Sequence, residues 1–432
     1  MVIEASLTLI LTFAVLLLLS VPIGICIAVA STATMLLMMP MDRALFITAQ
    51  KMVSSLDTFA LLAVPFFILS GEIMNNGGIA TRLVNFAKLF AGKIPGSLTH
   101  TNIVGNMMFG AVSGSAIAAS TSIGGVMVPM SEKEGYARTF AAAANIASAP
   151  TGMLIPPTTA FIIYALVSGG TSIAALFMGG AVAGILWGLG CMVVAYIVAK
   201  RHKYPMAPAI NRQQAWLICR EALPSLLLIF IVVGGIVFGV FTAIEASAVA
   251  VLYTAFLSLV VYKSIKLIQL PAIMMSTVRM TGIIMFLLAA SSAMSFAMAF
   301  SGLPAVISEI ILGLADNQIT VLLIINILLL IIGTFMDIGP AILIFTPILL
   351  PIATQMGVDP VHFGVVMIFN LSIGTITPPV GSGLFVGASV AQVRVESLIR
   401  PLLPFYLAII LVLFVVTYVP QLTLFLPQFF GV

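Results

Sequence analysis

The sequence predicts an all-α polytopic integral membrane protein assembled from two repeats, and three observations carry that prediction. Of the 432 residues, 62% are hydrophobic and 7% charged, with a mean hydropathy of +1.26. A soluble domain carries about 25% charged residues. No charged residue occurs between Glu4 and Asp42 or between Arg138 and Lys200, and each interval exceeds the roughly 20 residues that one membrane helix needs. Two prolyl-prolyl breaks, Pro156-Pro157 and Pro378-Pro379, interrupt long apolar stretches 222 residues apart (378 − 156). A transmembrane β-barrel would instead show segments of about 10 residues with alternating polarity.

Stretch length and charged interruptions parse the chain, because lipid-facing and buried faces are both apolar. At about 20 residues each, roughly 10 to 12 crossings are expected. The segment ahead of Ala28-Val29-Ala30 ends like a signal peptide. It is too long for one, contains Pro22 and starts with Glu4 rather than basic residues, so it is expected to stay as the first helix. Lys200, Arg201, Lys203, Arg212 and Arg220 crowd one central loop, which the positive-inside rule places in the cytoplasm. Lys263, Lys266 and Arg279 mark a second cytoplasmic region, so residues 222–261 should cross twice, turning near Thr242 to Glu245. The net charge of +4 is spread over loops, without a basic run interleaved with aromatics. The lipid bilayer is thus the expected surrounding and nucleic acid is excluded as a partner. Cys26, Cys191 and Cys219 form neither a CxxC pair nor a disulfide framework.

The proline breaks divide the chain in two. An ungapped alignment of residues 129–165 with 351–387 matches Pro129/Pro351, Gly135/Gly357, Ile146/Ile368, Gly152/Gly374, Pro156/Pro378 and Pro157/Pro379. All but the isoleucines are Gly or Pro, which dictate backbone shape. A weaker echo pairs Ala28-Val29-Ala30 with Ala248-Val249-Ala250. Residues 1–199 are read as repeat one, 200–221 as a basic cytoplasmic linker and 222–432 as repeat two. Relative orientation is not visible in sequence; inversion is expected because transporters commonly use it. In each repeat a Gly-rich polar stretch precedes the break: Gly110-Ala111-Val112-Ser113-Gly114-Ser115, and Gly333-Thr334-Phe335-Met336-Asp337-Ile338-Gly339-Pro340. Each is too short and interrupted for two clean crossings. Re-entrant helical hairpins are expected at about 105–128 and 322–350, and broken helices at about 137–168 and 360–391. Non-helical backbone at membrane depth survives only where it is buried in protein or lines a cavity.

These elements suggest a chemistry. Hydroxyls and helix-end carbonyls are hard oxygen ligands suited to a small cation such as Na⁺, while half-helix N-termini attract carboxylates. The expected Na⁺ ligands are Ser113, Ser115, Pro150, Gly152, Ile155 and Pro156 in repeat one. Repeat two supplies Gly333, Asp337, Gly374, Thr375, Thr377 and Pro378. Substrate is expected between them, near Ser113, Gly114, Ser115, Thr158, Asp337, Gly381 and Ser382. Three acids, Glu72, Glu245 and Asp337, lie within apolar sequence, and intramembrane acids are functional candidates. Glu245 follows a turn, where capping or a structural ion pair is an equal reading; Glu72 precedes Asn75-Asn76-Gly77-Gly78, which reads as a helix end. Asn102, Asn106 and Asn145 suit hydrogen bonds between helices. His100, His202 and His362 lack metal-ligand spacing. No HExxH, GxSxG or P-loop occurs. The chain therefore offers no hydrolytic machinery and no nucleotide site, and is expected not to be an enzyme.

Several runs resemble the large membrane subunit (M subunit, DctM-like) of the tripartite ATP-independent periplasmic (TRAP) transporters. They are Val64-Pro65-Phe66-Phe67-Ile68-Leu69-Ser70-Gly71-Glu72, Ala111-Val112-Ser113-Gly114-Ser115, Pro129-Met130 through Gly135-Tyr136, Ile155-Pro156-Pro157, Gly333-Thr334-Phe335-Met336-Asp337 and Ile373-Gly374-Thr375-Ile376-Thr377-Pro378-Pro379. Thr242-Ala243 departs from the family by lacking a nearby proline. The resemblance implies Na⁺-coupled import of a carboxylate, such as a C4-dicarboxylate, sialic acid or a related sugar acid, across the bacterial inner membrane. It implies an elevator mechanism with two or more Na⁺ sites. It also implies a periplasmic substrate-binding protein and a small membrane subunit of about four helices, here expected as a separate chain. A stand-alone Na⁺-coupled carboxylate carrier or ion exchanger of similar two-hairpin fold is the alternative.

Overall fold

Apolar chain becomes helix in a membrane because each backbone N–H and C=O must find its partner within the chain, and a helix pairs them locally. The computed structural model describes residues 2–19, 21–91, 94–206, 211–314 and 317–432, and it is helical with no strand among them. Residues 207–210 of the expected linker lie outside the described residues. Eight described helical segments are long and apolar enough to cross a bilayer, or nine if Arg138–Leu154 and Thr159–Val167 count as one bent span. The chain is a multi-pass membrane protein with fewer such helices than the crossings expected. One reason is local: the N-terminal apolar run divides at Pro22 into Val2–Leu18 and Ile23–Met38, of 17 and 16 residues.

Residues 222–261 do form two helical segments, Arg212–Val237 and Ala243–Val261. Tyr253 donates to the Pro224 carbonyl at 2.8 Å and Tyr262 to the Glu221 carbonyl at 3.0 Å, which sets the two antiparallel. The basic residues Lys200, Arg201 and His202 close the last turn of Ile173–His202, where positive charge complements the helix dipole.

Helix boundaries recur along the chain. Ala116–Lys133, Arg138–Ser148 and Ile173–His202 start 222 residues before Ile338–Gln355, Pro360–Gly374 and Val395–Tyr418 (338 − 116 for the first). The matched glycines have a physical reason: Gly135 and Gly357 turn the chain after equivalent helices with φ of +86° and +81°, a region that side chains with a Cβ avoid.

Packing is reciprocal between the halves. Thr159–Val167 lies against Ile338–Gln355, and Ser382–Val390 lies against Ala116–Lys133. Two clasps join them. Tyr164 donates to the Pro360 carbonyl at 2.7 Å, and Arg138 Nε donates to the Ala391 carbonyl at 2.7 Å while pairing with Glu132. The outer helices follow the same rule: Ile23–Met38 packs on Leu270–Ser301, and Ala243–Phe256 on Ala63–Asn76.

The core sits among the hairpins, the broken helices and Ile173–His202. There Trp187 is fully buried, tilted against Phe369 with ring centroids 4.7 Å apart, and its Nε1 donates to the Ala147 carbonyl at 2.8 Å. Asparagines join helices within this core. Asn106 Nδ2 lies 2.8 Å from Ser148 Oγ and 3.0 Å from Asn145 Oδ1, Asn145 Nδ2 donates to the Ser120 carbonyl at 3.0 Å, and Asn370 Nδ2 donates to Asn326 at 2.7 Å.

Candidate functional site

Four helix interruptions meet in two pairs. In the first pair, Ser97–Ser113 ends where Gly114 adopts a φ of +62°. Ser115 then opens Ala116–Lys133, its Oγ accepting from Ala118 N at 3.3 Å, the usual work of an N-cap serine. A Cβ built on Gly105 would lie 3.4 Å from Ile123 Cγ2, so the two arms run side by side as a hairpin. Facing the tip, Thr151–Leu154 stops at Ile155, because Pro156 and Pro157 have no N–H to continue the helix. The chain restarts at Thr159, bent by 46°. Thr158 caps the restart, accepting from Ala160 N at 3.2 Å. The expected hairpin of 105–128 thus occupies the adjoining halves of two longer helices.

In the second pair, Gln318–Phe335 ends at Met336 and Asp337 leads into Ile338–Gln355. Each arm has 18 residues and is long enough to cross on its own, because the helices extend beyond the Gly-rich stretch read from sequence. The facing break runs from Gly374 to Ser382. Its carbonyls are partly engaged: Thr375 accepts from Gly383 N at 2.8 Å and Leu384 N at 3.3 Å, and the Tyr406 hydroxyl donates to Ile376. Both Pro-Pro peptide bonds are cis.

Backbone meets backbone where each hairpin touches its break. A Cβ on Gly152 would fall 3.0 Å from the Gly110 carbonyl oxygen, and one on Gly333 would fall 3.1 Å from Gly374 Cα. At the tips, a Cβ on Gly114 would lie 3.4 Å from the Pro157 carbonyl oxygen, and Ser382 Oγ donates to Asp337 Oδ1 at 3.3 Å. The breaks also adjoin each other, with Ser372 Oγ 3.9 Å from Met153 Sδ. The structure therefore assembles Gly114 with Thr158, Gly152 with its hairpin, Gly333 with Gly374, and Asp337 with Ser382 beside Gly381. Pro150 is buried in the turn that opens Thr151–Leu154. Ser113 Oγ lies 3.5 Å from the Ser115 carbonyl.

The chemistry on offer is oxygen donors and helix ends. Among the described residues no group of three His, Cys, Asp or Glu gathers to hold a metal. No described N–H or O–H donates to the Pro156 or Pro157 carbonyl, so those oxygens keep the lone pairs that a hard cation uses. Thr375 and Thr377 give their hydroxyl protons to the Ser372 and Ile373 carbonyls, each at 2.7 Å, but a donating hydroxyl oxygen still accepts. The halves differ in exposure: Pro156, Pro157 and Thr158 are buried, whereas Asp337, Pro378 and Pro379 are exposed.

Two further acids belong to other helices. Glu245 is exposed and completes a capping box, its Oε2 accepting from Thr242 N at 2.8 Å and Thr242 Oγ1 at 2.9 Å. Of its three sequence readings, functional acid, ion pair and cap, the geometry takes capping. Thr242→Ala should lower the melting temperature while leaving uptake within about twofold of the unmodified chain, because a cap stabilises only its helix; a large uptake loss at unchanged stability would overturn this. Glu72 lies one turn before the end of Ala63–Asn76, as Asn75-Asn76-Gly77-Gly78 foretold. Its neighbour Gly71 brings that helix against the first tip, a Cβ there lying 3.3 Å from the Ser113 carbonyl oxygen.

Sequence reasoning placed Gly110 in the first Gly-rich stretch but not in the site, and missed Tyr406 altogether. A signal existed for the first: Gly110 precedes Gly114 by four residues, as Gly333 precedes Asp337, one helical turn before each tip. None existed for Tyr406, whose role depends on a partner in another element.

A family model described as the DctM component of the tripartite ATP-independent periplasmic transporter matches residues 10–422. The chain is 50% identical over 420 residues to the Salmonella typhimurium protein YgiK, covering 97% of this chain and 96% of that one. It is 40% identical over 382 residues to the sialic acid TRAP transporter large permease protein SiaM of Vibrio cholerae, covering 88% and 89%. Its fold is similar to that of the Alcanivorax borkumensis YdaH transporter, with a TM-score of 0.63 at 16% identity over 90% of this chain and 89% of that one. The chain belongs to the DctM-component family of the TRAP transporters, whose members are substrate-importing permeases and not enzymes.

Proposed function

We propose that this chain imports a carboxylate by Na⁺-coupled secondary active transport, as the large subunit of a TRAP system in the bacterial inner membrane. The supporting observation is that each hairpin tip meets the break of a helix. Breaks interrupt their helices part-way along, which supports hairpin tips at membrane depth and re-entrant hairpins. Reciprocal packing of the halves supports inverted repeats, which place a site at their interface. The Pro156 and Pro157 carbonyls, with Asp337 and the break threonines, supply Na⁺ ligands. The N-termini capped by Ser115 and Thr158 face the substrate carboxylate. The hairpins and broken helices form the body that carries the site past the outer helices as an elevator. A periplasmic binding protein delivers substrate, and a small membrane subunit packs beside this chain.

Proteoliposomes holding both membrane subunits test this. With the cognate binding protein outside, an inward Na⁺ gradient should drive uptake of its carboxylate, and collapse of the gradient should stop it. No gradient dependence would end the coupling proposal; equal uptake without the binding protein would favour the stand-alone carrier.

A further inference from the structure

A cavity of about 310 Å³ lies at the seam between Leu270–Ser301 and the body of hairpins and broken helices. One wall is a row of three serines on Leu270–Ser301: Ser291, Ser292 and Ser295. Ser55 and Thr58, in the turn after Met41–Ser54, add two more hydroxyls. Apolar side chains complete the lining, among them Leu288 on the same helix, Leu166 from one half-helix and Leu343 from the second hairpin, and no charged side chain lines the space.

Ser291 differs from most helical hydroxyls in this chain, and shares its unpaired state with Thr281 on the same helix. Thr277, on the same helix, turns its hydroxyl back to the Ile273 carbonyl at 3.0 Å, the usual way to satisfy it. Ser291 is 3% exposed, yet its Oγ has no hydrogen-bond partner among the described residues. An unpaired buried hydroxyl is costly, and a hydroxyl-bearing occupant of the cavity would relieve that cost at Ser291. Hydroxyls that both donate and accept, set among apolar side chains and free of charge, match a sugar or polyol. The volume matches about ten waters, or one small sugar, at about 30 Å³ per water.

Leu166 lies nine residues beyond Pro157, about 13 Å along a helix. The cavity is therefore separate from the breaks. We propose that it is an approach site binding the polyhydroxylated part of a sugar-acid substrate before its carboxylate reaches the breaks. This rests on the transport reading above and narrows the substrate class to hydroxyl-rich acids.

Thiol labelling tests it. Ser292→Cys and Ser295→Cys are made separately in full-length chain carrying Cys219→Ser; the other native thiols, Cys26 and Cys191, are buried. N-ethylmaleimide labelling is timed with D-gluconate, sorbitol or succinate present. At about four times its Kd a bound ligand leaves about one fifth of sites open, so gluconate and sorbitol should slow labelling about fivefold. Succinate, which lacks hydroxyls, should leave the rate unchanged. Adding Ser291→Ala to each variant should weaken the gluconate protection. No slowing by gluconate or sorbitol, equal slowing by succinate, or protection indifferent to Ser291→Ala would each overturn the proposal. Protection in a chain that shows no Na⁺-driven uptake would keep the cavity and remove the transport reading; uptake without protection would do the reverse.

Discussion

Gly374→Val is expected to reduce uptake to background, a loss of about 100-fold, which is what a displacement on the order of 1 Å costs a site assembled from several elements. A Cβ on Gly374 would overlap the carbonyl carbon, Cα and oxygen of Gly333. Those are backbone atoms, with no rotamer to move aside. Overpacking in a dense interior costs about 1–3 kcal/mol, and more where nothing relaxes. The second hairpin must then retreat from the break and take Asp337 with it. The Gly110–Gly152 contact predicts the same outcome for Gly152→Val. Gly125→Ala is the control. It lies within Ala116–Lys133 with nothing within 4 Å of its Cβ position, so Ala should be neutral or slightly stabilising, since helical Gly costs about 1 kcal/mol relative to Ala. Uptake assays with melting curves read both effects. Full uptake by Gly374→Val would show that hairpin register is irrelevant to transport.

Asp337→Asn is expected to cut Na⁺-driven uptake by at least about tenfold, the equivalent of about 1.4 kcal/mol in ion binding, at unchanged melting temperature. Asp337 occupies an N-cap position, but its side chain makes no capping bond. Its resolved partner is Ser382, at 3.3 Å. The carboxylate is exposed at the tip and holds no part of the fold together, and surface changes of that kind usually shift stability by no more than about 0.5 kcal/mol. Asn keeps the size and the capping ability while removing the charge. The loss should appear as a raised Na⁺ requirement, measured as uptake against Na⁺ concentration. Ser115→Ala should also lower transport, but with a drop in stability, because Ser115 caps its helix. Wild-type Na⁺ dependence in Asp337→Asn would remove that residue from the ion site.

Which parts of this arrangement were legible follows from what Gly and Pro do. Gly135 and Gly357 have positive φ, Gly152 and Gly374 permit backbone contact, and Pro156-Pro157 and Pro378-Pro379 stop helices. Each acts through its own backbone, so its meaning travels with the sequence. The helix count did not, because apolar composition does not say where a run such as residues 2–38 divides. Glu245 stayed open between a functional role, an ion pair and a cap until Thr242 was seen to hold both ends of the box.

The sequence by itself determined a multi-pass membrane protein with a Gly-rich stretch ahead of each of two proline breaks 222 residues apart, and its motifs pointed to the family. Tertiary structure decided which glycine touches which, that half-helices pack across onto the other half's hairpin, and that Tyr406 reaches the Ile376 carbonyl. It also decided that the first break is buried while the second is exposed. The reason is physical: backbone geometry is set within a few residues, whereas contact, burial and hydrogen-bond partners belong to pairs of residues far apart in the chain.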